Sequence, residues 1–128
     1  MSKLPQISDA EWEIMQVIWR QSPITAAEIV AELGKRTGWN HRTIRTLLGR
    51  LVRKRAIGFK TLGNRYVYHP KVTRESCVGA ESQSFIQRIF CGDTASLLVH
   101  FVRHGKLSAE DLRELKQTLT DKEEETAP

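Results

Sequence analysis

At 128 residues, with 40% apolar and 27% charged side chains, the chain is long enough for one small domain plus an accessory helical segment, each with apolar surface to bury. Its longest apolar run, around Ser96 to Val102, falls far short of the roughly 20 residues a bilayer span requires, and no apolar signal core follows Lys3, so a cytoplasmic protein is expected. The net charge of +5 is segregated: the stretch from Leu33 to Arg74 holds twelve Lys/Arg and no Asp or Glu, which points to a middle that meets a polyanion.

Ser8 can cap a first helix, with Glu11 as its reciprocal partner and Ile7 placed to staple onto Trp12. Trp12, Ile14, Met15, Val17, Ile18 and Trp19 then form a broad apolar face, and both tryptophans read as core because they sit among aliphatics at helical spacing. Gln21-Ser22-Pro23 ends this helix, and Ile24 is the single apolar residue of a short link. Thr25 and Glu28 make a second capping box, Ile29, Val30 and Leu33 a buried stripe, and Gly34 the expected helix end, followed by a polar turn over Lys35 to Gly38.

Asn40 is the expected cap of a third helix within Trp39 to Arg55. Ile44, Leu47, Leu48, Leu51 and Val52 give it one buried stripe, while Arg42, Arg45, Thr46, Gly49 and Arg53 fall on a face with no acidic residue, small in places and cationic elsewhere. The period then changes from helical to alternating. Ile57 to Leu62 and Arg65 to His69 read as two strands rich in β-branched and aromatic residues, joined by Gly63-Asn64, which tolerate the positive φ of a tight hairpin, and Pro70 stops the second strand. Three helices and a hairpin, with a short turn between the second and third helices, are the order of a winged helix-turn-helix domain, here expected over residues 1–72. The fold class is mainly α with a small β-hairpin.

Beyond Pro70 three amphipathic helices are expected. Thr73 can cap the first, which carries Val78, Phe85, Ile86, Ile89 and Phe90. Gly92-Asp93-Thr94 breaks it before Ala95 to Val102, with Leu97, Leu98 and Phe101, and Ser108 with Asp111 caps the last, whose stripe is Leu112, Leu115 and Leu119. Such helices have little partner surface within one chain, so residues 73–122 are expected to bury them against a second copy, with 123–128 a frayed acidic tail. Cys77 and Cys91 lack CxxC spacing and are expected as two reduced, packed thiols. His100 and His104 lie one turn apart, but no HExxH pattern or fixed carboxylate accompanies them, so no metal or other cofactor is expected. No nucleophile, base and orienting group can be assembled, and an enzyme is not expected.

The blocks ISDAEWEIMQVIW, TAAEIVAEL, TIRTLLGRLVRK, the Gly58 to Pro70 hairpin and SLLVHFVRHGKLSAEDLRELKQTL resemble, in order and over nearly the whole chain, the BlaI/MecI family of penicillinase repressors. The resemblance implies a homodimeric winged-helix repressor of β-lactam resistance genes. It also implies release when a membrane sensor-protease signals and the repressor is cut inside its dimerisation segment. It places Arg42, Thr43, Arg45 and Thr46 where side chains reach base edges, and Arg50 on the same helix. Trp39 and Asn40 then serve the helix N-terminus, and Lys60, Asn64 and Arg65 the backbone contacts of the hairpin. Where the family often has Ser-Pro at the helix start this chain has Asn40-His41, and where the scissile bond is typically Asn-Phe it has His100-Phe101. Copper-responsive relatives carry paired cysteines near the C-terminus, and this tail has none.

The expected mechanism couples dimerisation to occupancy of an operator with dyad symmetry. One half-site contact is weak, and tethering a second raises affinity by roughly 10² to 10⁴. The rival readings are a winged-helix repressor of another stress regulon, such as a metal-responsive one, and a winged helix used for protein interaction.

Overall fold

The computed structural model describes residues 4–128. Its elements in chain order are α1 (Asp9–Arg20), α2 (Ala26–Thr37), α3 (His41–Arg53), β1 (Ile57–Leu62), β2 (Arg65–Pro70), α4 (Arg74–Phe90), α5 (Thr94–His104) and α6 (Ala109–Thr126). The chain divides into two compact units, the first ending at Ser82 and the second running Gln83–Pro128. The division falls ten residues beyond the expected boundary at 72, because the start of α4 serves the first core: Cys77 is buried there, and Arg74 donates to the Gln16 side chain at 3.4 Å.

Both capping boxes form. The Ser8 hydroxyl accepts from the Glu11 amide while the Glu11 carboxylate accepts from the Ser8 amide, and Thr25 and Glu28 repeat the arrangement. α2 does not stop at Gly34. It continues for another turn to Thr37 and closes at Gly38, whose φ of +76° is the left-handed geometry that glycine adopts without strain. Lys35 to Thr37, expected in a polar turn, are therefore helical, and Arg36 from that last turn pairs with Glu13 of α1.

Ile14, Met15, Val17 and Ile18 of α1, Ile29 and Leu33 of α2, Ile44, Leu47, Leu48 and Leu51 of α3, and Ile57 of β1 form one core, with Trp12, Trp19 and Trp39 packed against it. The Trp19 indole N–H donates to the Val72 carbonyl at 3.0 Å, which satisfies its one polar group at the edge of that core. α3 ends through Arg55 at a φ of +65°, so that Ala56 N–H reaches the Leu51 carbonyl at 3.0 Å and the chain turns directly into β1.

The two strands pair antiparallel from Ile57 opposite Pro70 to Leu62 opposite Arg65, with Gly63 at a φ of +66° in the turn. Ile24, read from sequence as a link residue, adds a third short rung. Its amide donates to the Tyr68 carbonyl at 3.1 Å and its carbonyl accepts from the Tyr68 amide at 2.7 Å. This rung ties the root of the hairpin to the start of α2, and the first unit is a winged helix-turn-helix.

In the second unit α4 and α5 are separated by Cys91 and Gly92, both in the left-handed region at φ +50° and +86°. Asp93 caps α5, and the Ser108–Asp111 box caps α6. α6 runs to Thr126, so Glu123, Glu124 and Glu125, expected to begin a frayed tail, extend the last helix. Cys91 is exposed rather than packed, whereas Cys77 is buried, and burial pushes its thiol up. Among the described residues no helix is long and apolar enough to cross a membrane.

Candidate nucleic-acid interface

The third helix owes its exposed face to the stripe it buries. With Ile44, Leu47, Leu48 and Leu51 committed to the core, the helical period leaves Arg42, Arg45, Thr46, Arg50 and Arg53 in solvent. Among the described residues none of these four arginines has a carboxylate within ion-pair distance, nor do Lys60 and Arg65 of the hairpin. Two cations of the acid-free stretch are withdrawn from this field: Arg36 by Glu13 and Lys54 by Glu11.

The expected residues at the helix start divide by what they already hold. The Asn40 carboxamide oxygen accepts from the Thr43 amide at 3.0 Å and from its hydroxyl at 3.3 Å, so Asn40 has only its NH₂ group left to offer. Trp39 is half-buried against the core and its amide is bonded to the Thr37 hydroxyl at 3.2 Å, which makes it an anchor of the turn. The Thr46 hydroxyl donates to the Arg42 carbonyl at 2.9 Å, leaving it an acceptor only.

A groove runs beside this face, lined by Thr25, Ala26 and Ala27 at the start of α2, His41 and Arg45 of α3, and Asn64, Arg65, Tyr66 and Tyr68 of the hairpin. It shares His41 and Arg45 with a more open hollow over His41, Arg42, Arg45 and Thr46. Arg45 therefore belongs to both, and it lies near enough to Tyr68 to act on its phenol. Burial pushes that phenol up, Arg45 pulls against it, and the net remains above the ordinary value, so Tyr68 stays a neutral donor.

Arg42, Arg45, Thr46, Asn64 and Arg65 are thus brought together. Lys60 is not: it lies opposite Val67, nearer the hairpin root, and lines a separate hollow with Val52, Gly58, His69 and Lys71, whereas Arg65, on the same face but beside the turn, lines the groove. Tyr66, Tyr68 and the start of α2 line the groove without having been singled out from sequence. The tyrosines were legible in principle, since the Gly63-Asn64 turn fixes the register and therefore the facing side. The contribution of α2 depends on the Ile24–Tyr68 rung and carries no local signal.

Residues 7–121 match the penicillinase repressor family. The chain belongs to that family. A penicillinase repressor of Bacillus licheniformis is 39% identical over 121 residues, which cover 94% of each chain. The methicillin resistance regulatory protein MecI of Staphylococcus aureus is 33% identical over 121 residues, 94% of this chain and 98% of its own. Among solved structures, the Bacillus licheniformis BlaI monomeric form in complex with the blaP half-operator is 44% identical, with a TM-score of 0.52, over 59% of this chain and 92% of that one. A Staphylococcus aureus MepR variant bound to an oligodeoxyribonucleotide, 19% identical with a TM-score of 0.53, shares the fold over 94% of this chain and 80% of that one.

In this penicillinase repressor family member the second unit keeps its apolar residues near the surface. Ile86 is buried and Phe85, Leu97 and Leu115 are half-buried, whereas Ile89, Leu98, Phe101, Leu112 and Leu119 are exposed. The His100-Phe101 peptide, the expected cleavage position, lies inside α5, where the backbone is helical. His100 and His104 stand with ring centroids 4.8 Å apart, and among the described residues no group of three potential ligands surrounds them.

Proposed function

We propose that this protein is a sequence-specific DNA-binding repressor of β-lactamase genes that works as a homodimer on an operator with dyad symmetry. The observation that carries the proposal is the cationic face of α3, without an ion pair among the described residues and sharing Arg45 with the groove beside the hairpin. The 44% identity to a BlaI domain bound to a half-operator supports DNA as the polyanion. In this reading α3 lies in the major groove, where Arg42 and Arg45 offer bidentate donors to guanine and Thr46 an acceptor and a methyl group. Asn64 and Arg65 hold the backbone, Arg50 neutralises a phosphate farther along, and Lys60, on the outer face, adds to the long-range field.

The exposed residues of α4, α5 and α6 fit burial against a second copy, Ile89, Leu98, Phe101, Leu112 and Leu119 foremost. Cleavage at His100-Phe101 by a sensor-linked protease would then lower operator affinity by separating the half-site contacts, with no DNA contact touched. Anisotropy titration of a labelled duplex, selected by the protein from a random-sequence pool, tests the core of the proposal. Affinity should fall steeply with salt, and Arg45→Ala should cost about 1–3 kcal/mol and relax base preference. No binding to any duplex at low salt would refute it.

A further inference from the structure

The hairpin of a small domain has two faces, and here they differ in chemistry. Strand register places Phe59 opposite Tyr68 and Thr61 opposite Tyr66, so Phe59, Tyr66 and Tyr68 share one face, while Lys60, Leu62, Arg65 and Val67 alternate to the other. The aromatic face is the one turned toward the start of α3, because Tyr66 and Tyr68 line the groove with His41 and Arg45.

Along that face burial falls away from the root. Ile57 is buried and Tyr68 is half-buried and tied to Ile24, but Phe59 is 46% exposed and Tyr66 55% exposed. The two rings pack side by side at a centroid distance of 4.7 Å, so Phe59 braces Tyr66 laterally, and the centroids of Phe59 and Tyr68 are 6.1 Å apart in turn. Folding does not require this exposure, since the core is complete without Tyr66. A rigid aromatic ring of low conformational entropy, lining with Arg45 the mouth of a groove, has the chemistry of a surface for sugar and phosphate.

We propose that Tyr66, braced by Phe59, is a DNA-contacting residue, its ring lying against a deoxyribose of the strand that occupies the groove between α3 and the hairpin. The inference rests on the DNA-binding reading above and deepens it. It assigns the hairpin an apolar contact, on its inner face, in addition to the ionic ones.

Hydroxyl-radical footprinting of the full-length protein on a duplex it selects from a random-sequence pool reads the contact directly, since these radicals attack exposed deoxyriboses. Wild type should protect one short run of sugars at the flank of each half-site. Tyr66→Ala should lose that run while keeping protection beneath α3, and affinity should drop about tenfold with an unchanged salt slope, because stacking is lost without loss of charge. Tyr66→Thr, which suits a strand, should behave the same and covers any weakening of the hairpin by alanine. Leu62→Ala, removing an exposed side chain from the opposite face, should match wild type. Full flank protection and wild-type affinity in both Tyr66 variants would overturn the proposal with DNA binding intact, as would a Leu62 variant that loses the run instead. A wild-type protein without affinity for any duplex would overturn the DNA reading itself, and this contact with it.

Discussion

Lys54, the residue that closes α3, is held by Glu11 from the first turn of α1. The Glu11 side chain is 1% exposed, one of its oxygens accepts from Lys54 and, at 2.8 Å, from the Ser8 amide, and among the described residues the other has no partner. Lys54 also donates to the Gln6 carbonyl at 2.8 Å. A cation from the acid-free stretch thus serves as a clamp between the N-terminal cap of α1 and the C-terminal end of the helix that carries Arg42 and Arg45.

Breaking this clamp from the lysine side should be costly. Lys54→Ala leaves Glu11 buried and uncompensated, and a fully buried pair broken in this way loses about 3–5 kcal/mol. Since Lys54 is 36% exposed, water can reach its place in part, and about 2 kcal/mol is expected. Urea denaturation should show a lowered midpoint, and Glu11→Gln in the Lys54→Ala background should recover part of it. An unchanged midpoint in the single variant would show that the pair contributes nothing.

The same carboxylate gives stability a dependence on acid. Burial pushes Glu11 up, but the Lys54 ammonium and the carboxylate's hydrogen bonding to Ser8 outweigh burial and hold it below its ordinary 4.5. A group depressed in the folded state contributes stability that is complete above its unfolded value and is lost as pH falls through the folded one. Thermal midpoints should therefore be flat at neutral pH and decline below about 4.5, with a shallower decline in Glu11→Gln. Glu13 beside Arg36 and Asp93 at the cap of α5 are depressed as well, so the glutamine variant should flatten the decline only in part.

Gly49 separates stability from binding. It lies mid-helix on the exposed side of α3, and a Cβ added there would meet nothing within 4 Å. Gly49→Ala should raise unfolding free energy by about 0.5–1 kcal/mol, since alanine restricts the unfolded chain and favours the helix. If α3 enters a groove, the same methyl group stands between helix and DNA, and affinity should fall as stability rises. A variant that gains both would place Gly49 outside the contact surface.

The second unit should govern assembly. Truncation after His100 removes Phe101 and all of α6, with Leu112, Leu115 and Leu119, and leaves the core that ends at Cys77 untouched. Sedimentation should show a shift to monomer, and circular dichroism a folded winged helix. A truncated chain that still sediments as a dimer would refute the assigned role of these helices.

Much of the site was legible in the sequence because it depends on short-range rules. The caps Ser8, Thr25, Asn40 and Ser108, the strand limits around Gly63-Asn64, and the split of α3 between an apolar stripe and an arginine face all follow from spacing within a few residues. Composition likewise set the basic middle apart. What the sequence could not rank was the use of each charge. Arg36 and Lys54 read like Arg42 and Arg45, and only packing of α1 against α2 and α3 brought Glu13 and Glu11 to them. The run-on of α2 past Gly34 and the helical end of α6 also escaped local rules, since a glycine can close a helix or sit inside one. The groove was the largest gap. It exists because Ile24 pairs with Tyr68 across 44 residues and turns one face of the hairpin toward Arg45, a distance over which spacing carries no information. The sequence by itself determined which residues are helical, apolar and cationic; tertiary structure decided which cations are free and which aromatics stand beside them, because pairing and facing are properties of contacts between elements.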